Sequence, residues 1–377
     1  HSDPVQGALY SIVSLVRALT VGVENDSLTM TRSLFGLREY YAHRPNLPSY
    51  EHVVENQTDP HTISFACKMF PFTMASLGWI GVSAMGYGKG LKDLIAGSDF
   101  NERSIIAYLR RQSPNVAILK SSFASKSVFQ PSFVLLHCLD MDAIIVAMRC
   151  SLDVADFITD AVCQYEEFNT HGVLSHSGVM ASARWVFDQV LPIINEHKGT
   201  VKNLYLSGHS LGGGMASLLT MMLCDDQTVS SQFNIKCAAF APPATVSFHD
   251  PKYDEIIDVY VHNDDVVPRL SYGAAVDLQT LQRYYAMVLS DPALLYSTND
   301  QYKYLDICRE ALKEHSSSLK LVHPGRVHIL TMIDNVGMAI DVPNDYFTEI
   351  RFSPAMILDH LPHMYGIVLD SLQRMNE

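Results

Sequence analysis

The chain has 377 residues, 48% of them hydrophobic, a formal charge of −13 and 20 glycines. That is enough apolar material for a large core, which excludes a disordered or fibrous class. With no basic run longer than Arg110-Arg111, it also excludes a nucleic-acid footprint and a polybasic membrane patch.

In chain order, Val5 to Val21 and Thr29 to Tyr41 read as helices, followed by the apolar Ile63 to Tyr87 and the helical Lys89 to Ala96. Residues 1–110 are therefore expected to form a helical region packed on a catalytic domain spanning 111–377. Within it, Met69 to Tyr87 is uncharged and long enough to span a bilayer, but Pro71, Gly78, Gly81 and Gly86 interrupt it. A buried helix is the expectation. His1-Ser2-Asp3-Pro4 carries no signal-peptide pattern.

From Ser132 the pattern turns to short β-rich runs, Phe133 to Leu139 and Ala143 to Met148, with Asp140-Met141-Asp142 as the turn between them. Then come helical Val154 to Cys163 and Gly178 to Lys198, strand-like Val201 to Ser207, helical Leu211 to Cys224, and strands Lys236 to Phe240 and Ile256 to His262. A helical insert at about 278–322, strand Val327 to Ile333, strand-like Phe347 to Phe352 and helix-like Tyr365 to Met375 complete the chain. Such alternation predicts an α/β fold with a mostly parallel sheet, and the continuous apolar strands predict helices on both faces.

The seven cysteines are scattered, odd in number and without zinc spacing. They imply reduced thiols and an intracellular compartment, while the sequons Asn25-Asp26-Ser27 and Asn56-Gln57-Thr58 leave a secretory route open.

The chemistry concentrates at Gly208-His209-Ser210-Leu211-Gly212, where a strand gives way to a helix. This is the context of a nucleophile elbow, in which flanking glycines permit a sharp turn that presents the serine hydroxyl. A serine hydroxyl needs a histidine base and a carboxylate that orients it, and in this topology the order is Ser, acid, His. Asp265 follows strand Ile257 to Val261 in a strand-end loop, with Asp264 as an equally charged neighbour. The C-terminal histidines are 323, 328, 360 and 363; His328 lies inside a strand, and His360 sits in a loop on the serine's edge, with His363 as its backup. Without suitably spaced Cys or carboxylate partners, no metal is expected, nor any other cofactor. The Leu211 N–H and Ser151, at the end of strand Ala143 to Met148, are the candidate oxyanion donors.

These pieces resemble the class 3 lipases, and among them the sn-1-type diacylglycerol lipases. The matching residues are Arg149-Cys150-Ser151, Asp156 to Asp160, His176-Ser177-Gly178, Leu206 to Gly214, Ala241-Pro242-Pro243, Asp265 to Arg269, Pro324-Gly325-Arg326 and Asp359-His360-Leu361-Pro362. They occur in the family's order over about residues 130–375. The resemblance implies an α/β-hydrolase fold, Asp265 as the acid, His360 as the base and Ser151 as an oxyanion hydroxyl. It also implies a regulatory loop between Asp265 and His360. Cys150 departs from the family's usual glycine.

The expected function is a serine lipase acting through an acyl-enzyme on glycerolipids (mono-, di- or triacylglycerol) at a membrane or lipid-droplet interface, with peripheral membrane contact. The helix Leu152 to Ala161 stands at the class's lid position, and Tyr284 to Leu289 with Leu294, Leu295 and Tyr296 is a second apolar candidate for interfacial contact. The alternatives are an inert lipase-like signalling or binding module, and an esterase or phospholipase A1 acting on other acyl esters.

Overall fold

The computed structural model describes residues 27–44, 48, 53, 55–78, 100–123, 129–149, 165–168, 172–291 and 297–376. An eight-stranded sheet organises them. In chain order its strands are β1 (Val116–Ser122), β2 (Ser132–Cys138), β3 (Ala143–Arg149), β6 (Asn203–His209), β7 (Asn234–Phe240), β8 (Ile257–His262), β9 (Arg326–Ile333) and β10 (Val336–Val342), and this is also their spatial order. Strands β4 (Tyr165–Glu167) and β5 (Leu174–His176) form a separate antiparallel ribbon. The five central strands from β3 to β9 run parallel, and β1, β2 and β10 extend the two edges antiparallel. This is the mostly parallel sheet that the sequence predicts.

Pleating sorts the strand residues between two cores, because successive side chains point to opposite faces. Phe133 and Leu135 of β2, with Ile144, Val146 and Met148 of β3, pack with α4 (Ser177–Glu196) and α5 (Leu211–Asp225). The intervening Val134, Leu136, Ile145 and Ala147 face α2 (Pro60–Ser76), α3 (Phe100–Leu109) and α8 (Pro362–Asn376). A third cluster joins α1 (Ser27–Ala42) to α6 (Tyr272–Ser290) and α7 (Thr298–His315). The N-terminal helices are thus divided. Helices α2 and α3 complete the sheet's second face, whereas α1 seats Leu37, Tyr40 and Tyr41 against the helices that follow β8.

Helix α2 starts at Pro60, and the Asp59 carboxylate accepts from the N–H groups of His61 (2.9 Å) and Thr62 (3.0 Å). It passes through Pro71 to Ser76 with Met69, Met74 and Ala75 fully buried. The described part of the apolar 69–87 stretch is therefore a core helix, and residues 79–87 lie outside the described residues. Among the described residues no helix is long and apolar enough to cross a membrane.

Three features differ from the sequence reading. Strand β1 was not anticipated, because Ile118 and Leu119 are followed by polar Lys120, Ser121 and Ser122, as befits a half-buried edge strand. Residues 347–352 are loop and not strand: Phe347 is buried in the core beneath the sheet, and Ile350 and Phe352 are buried in the cluster of α1, α6 and α7. The insert begins earlier than 278, at Tyr272 behind the Ser271 cap, and consists of two helices. Helical readings at 5–21, 89–96 and 154–163 fall on residues outside those described. Of the seven cysteines, the five described ones, Cys67, Cys138, Cys224, Cys237 and Cys308, are free thiols.

A buried charge cluster pins β8, β9 and β10 together. His328 Nε2 lies 3.1 Å from Asp258 Oδ1 and Nδ1 lies 2.7 Å from Asp341 Oδ1, while Arg326 Nη2 lies 3.0 Å from Asp258. Burial alone would depress His328, but its bonds to the two carboxylates outweigh it and raise the imidazole above 6.5. A folded-state value above the unfolded one stabilises the fold fully below about pH 6.5, and the contribution disappears as pH rises through the folded value. His328→Leu is therefore expected to cost on the order of 3 kcal/mol near pH 6. The gap between the two proteins narrows toward alkaline pH, as urea melts from pH 6 to 9 will show.

Candidate active site

Strand β6 leads directly into α5, and Ser210 occupies the junction with φ 59° and ψ −132°. A non-glycine residue is held there only when its surroundings determine it. Here the Ser210 N–H donates to Phe240 O at the end of β7 (2.9 Å), and its carbonyl accepts from Gly213 (2.9 Å) and Gly214 (3.2 Å). The turn is so tight that a Cβ on Gly208 would stand 2.2 Å from Gly212 O, and one on Gly212 would stand 2.3 Å from Met148 O. Both contacts are with backbone, so neither can be relieved by a side-chain rotation.

His360 comes from the loop before α8, and Asp265 from the loop after β8. His360 Nε2 lies 2.9 Å from Ser210 Oγ, and Nδ1 lies 2.9 and 3.0 Å from the two oxygens of Asp265. An ionised carboxylate only accepts, so Nδ1 carries the proton and Nε2 is free to accept from the serine hydroxyl. Asp265 is fully buried. Its charge is met by the Val267 N–H (2.9 Å to Oδ1) and the Tyr365 hydroxyl (2.6 Å to Oδ2). Tyr365 in turn accepts from the His262 N–H (3.0 Å), which ties α8 to the end of β8. Burial, and next the charge of Asp265, drive the Tyr365 phenol well above 10, so it remains a donor at any physiological pH.

Asp264, which spacing alone could not separate from Asp265, points elsewhere. Its Oδ1 accepts from Arg351 Nε (3.2 Å), and its N–H donates to Asp359 Oδ2 (3.1 Å). Asp359 therefore stitches the acid loop to the loop carrying His360. His209 packs on His360 with ring centroids 4.9 Å apart, and burial, then the neighbouring imidazole, push it well below 6.5. It is neutral at neutral pH and adds no charge beside His360.

The other histidines are accounted for structurally. His328 belongs to the β8–β10 cluster, and His323 Nε2 lies 3.1 Å from Pro268 O in a buried site. His363 stands in the first turn of α8, whereas it is His360 that bonds Ser210 and Asp265. Leu211 is the first residue of α5, whose N-terminal end carries the partial positive charge of the helix. Ser151, Cys150 and the lid position 152–161 lie outside the described residues, as do Leu294, Leu295 and Tyr296. Among the described residues no group of three or more His, Cys, Asp or Glu is placed to hold a metal ion. Tyr365 and Asp359 were not singled out by sequence as contributors to the site. The Asp359-His360 pair gave a hint, but a tyrosine in an amphipathic helix reads as core.

The sheet order, the strained serine at a strand-to-helix turn and the Ser, Asp, His sequence define an α/β-hydrolase fold. Residues 145–274 match the class 3 lipase family. Mouse diacylglycerol lipase-alpha is 24% identical over 302 aligned residues, covering 67% of this chain and 28% of the relative. The chain thus corresponds to only 28% of the length of that relative. Phospholipase A1 PLIP2 of Arabidopsis thaliana is 25% identical over 133 residues, covering 33% of this chain and 19% of the relative. Among solved structures, the native Rhizomucor miehei lipase propeptide complex superposes with a TM-score of 0.50 at 16% identity, covering 85% of each chain. Lip2 lipase from Yarrowia lipolytica gives 0.50 at 13% identity over 82% of this chain and 95% of its own.

Gly212→Ala should therefore destabilise the protein by roughly 2 kcal/mol, since β3 or α5 must shift to accept the methyl group. Gly178→Ala, whose Cβ would meet nothing closer than 3.5 Å, should be nearly neutral. Urea denaturation of the two variants compares them directly.

Proposed function

We propose that the protein is a serine lipase that hydrolyses acyl esters of glycerolipids. The observation that carries this reading is the continuous line Ser210 Oγ, His360, Asp265 Oδ at hydrogen-bond distances in a fully buried carboxylate setting.

In this mechanism His360 Nε2 removes the proton of Ser210 as the hydroxyl attacks the ester carbonyl, and Asp265 stabilises the imidazolium that forms. The Leu211 N–H, and by family resemblance Ser151, hold the tetrahedral oxyanion. His360 then protonates the departing glycerolipid oxygen. Water enters, gives its proton to His360 and releases the fatty acid from the acyl-enzyme, which restores Ser210. Tyr365 keeps Asp265 oriented throughout. A binding module has no need of this complete arrangement, which favours the enzyme over an inert scaffold.

Support for a glycerolipid substrate comes from the relatives, named diacylglycerol lipase and phospholipase A1. Diacylglycerol is the substrate we favour because that alignment covers the larger part of the chain. The site of action we propose is the surface of a membrane or lipid droplet inside the cell, reached by peripheral contact.

A fluorophosphonate probe should label Ser210 and no longer label Ser210→Ala; a folded protein that stays unlabelled would refute the enzyme. Asp265→Asn should lower kcat by about 10⁴-fold. Tyr365→Phe should lower it roughly tenfold, the rate equivalent of about 1.4 kcal/mol. Emulsified diacylglycerol should be hydrolysed faster than short soluble esters, and the reverse preference would make the protein an esterase.

A further inference from the structure

Asp265 is presented to His360 by a turn that carries strain of its own. Asn263, two residues earlier, has φ 40°, a left-handed conformation disfavoured for residues with a Cβ and tolerated best by asparagine and aspartate. Such a turn keeps its shape only where its neighbours hold it. The Asp265 N–H donates to His262 O across the turn (3.0 Å), and the Asn263 N–H donates to Leu330 O of β9 (3.2 Å). Neither bond engages Asp264, which joins the turn to the acid.

Asp264 is held instead by the segment that carries the base. Its N–H donates to Asp359 Oδ2 (3.1 Å), and its Oδ1 accepts from Arg351 Nε (3.2 Å). Two residues further on, the Val266 N–H donates to Met356 O (3.2 Å). Residues 351, 356 and 359 therefore grip the chain on both sides of Asp265, and His360 follows directly. A shift of the acid relative to the base must break one of these bonds.

Arg351 is anchored on its far side as well. Its Nη2 donates to Arg44 O (2.6 Å), just past α1, and its guanidinium lies 5.2 Å from the centroid of the Tyr41 ring. Both Arg351 and Tyr41 are buried, so solvent and salt screen these contacts less than they would at the surface. The guanidinium donors lie in one rigid plane, and the bond to Arg44 O thus sets the direction of the Nε–H that Asp264 receives. A lysine ammonium, as a point charge, cannot bridge the two acceptors in this way.

We propose that Arg351 is a positioning residue for the acid: by tying the Asp264 carboxylate to the end of α1, it holds the 262–265 turn in the shape that presents Asp265 to His360 Nδ1. It acts through Asp264 and not on the substrate. With the Asp264 carboxylate engaged by Arg351, the imidazole is left to Asp265. The inference rests on the reading of Ser210, His360 and Asp265 as a hydrolytic line.

The test titrates the full chain with a fluorophosphonate, so that turnover of a short soluble ester is expressed per labelled Ser210 and any unfolded fraction drops out. Arg351→Met should lower kcat roughly tenfold with KM within about twofold, and Arg351→Lys should lower it roughly threefold. Asp264→Ala, which keeps the N–H bonded to Asp359, should match Arg351→Met. The double variant should then fall no lower than either single one, because both break the same link. His328→Leu, buried but outside this turn, should lower the melting temperature and leave kcat per labelled site unchanged.

A second readout needs no turnover. The Nδ1 proton of His360 gives a downfield NMR signal that His360→Gln removes, and Arg351→Met should move it upfield as the bond to Asp265 loosens. Full kcat per labelled site in Arg351→Met with an unmoved Nδ1 signal overturns the proposal, as do losses that multiply in the double variant. A folded wild-type protein that takes no label and cleaves no ester refutes the hydrolytic reading instead, and the Nδ1 signal then decides the role of Arg351 by itself.

Discussion

The turn at Ser210 is the constraint around which the molecule is arranged. A positive φ at a non-glycine residue costs on the order of 1–3 kcal/mol and survives only when packing leaves no alternative. Here β7 supplies the acceptor for the Ser210 N–H, and β3 runs so close to Gly212 that its carbonyl occupies the place of a side chain. Strand order therefore fixes the serine's backbone: with β3 on one side of β6 and β7 on the other, the hydroxyl emerges at the carboxyl edge of the parallel strands. Functional groups in open α/β sheets gather at that edge.

The rest of the site is assembled by tying loops to one another. Asp265 and His360 are far apart in sequence, and two polar links hold their loops in register. Tyr365 spans the end of β8 and the acid, and Asp359 accepts from the backbone of Asp264. Arg351 extends the chain of contacts outward from Asp264 to the carbonyl of Arg44, just past α1 (2.6 Å). The α1, α6 and α7 cluster thus borders the acid loop, and Val266 and Val267 are buried within it. Packing in the appended helices and geometry around Ser210, His360 and Asp265 are for this reason parts of one mechanical unit.

Buried charge is used unevenly. At Asp265 the carboxylate is met by three donors, the Val267 N–H, the Tyr365 hydroxyl and the His360 imidazole. At His328 the imidazole is held between two carboxylates and serves to lock the antiparallel edge strand β10 onto the parallel sheet. Residues 56–58 then pair with β10 through the Thr58 N–H to Ala339 O (3.0 Å) and the Asp341 N–H to Asn56 O (2.8 Å). An edge covered in this way offers less open backbone to other chains.

The central strands, the elbow and the three distant residues were legible in the sequence because they rest on local signals. Continuous apolar runs mark buried strands, glycines bracket the serine, and strand-end loops hold the acid and base. Other features depend on long-range partners that no local pattern encodes. Strand β1 is half polar and earns its place only by pairing with β2. The apolar residues of 347–352 look like a strand but pack as loop, because Phe347 lies under the Arg269 guanidinium (4.6 Å) and Ile350 and Phe352 join the α1, α6 and α7 cluster. Asp264 and Asp265 are chemically alike and adjacent; Arg351 and Asp359 engage one, and His360, Val267 and Tyr365 engage the other. Sequence by itself determined which residue types stand at the turns and strand ends, since backbone sterics and hydrophobic periodicity act over a few residues. Tertiary structure decided which carboxylate meets the imidazole of His360 and which two carboxylates hold His328, since electrostatic pairing acts over a few ångströms between segments that only the folded chain brings together.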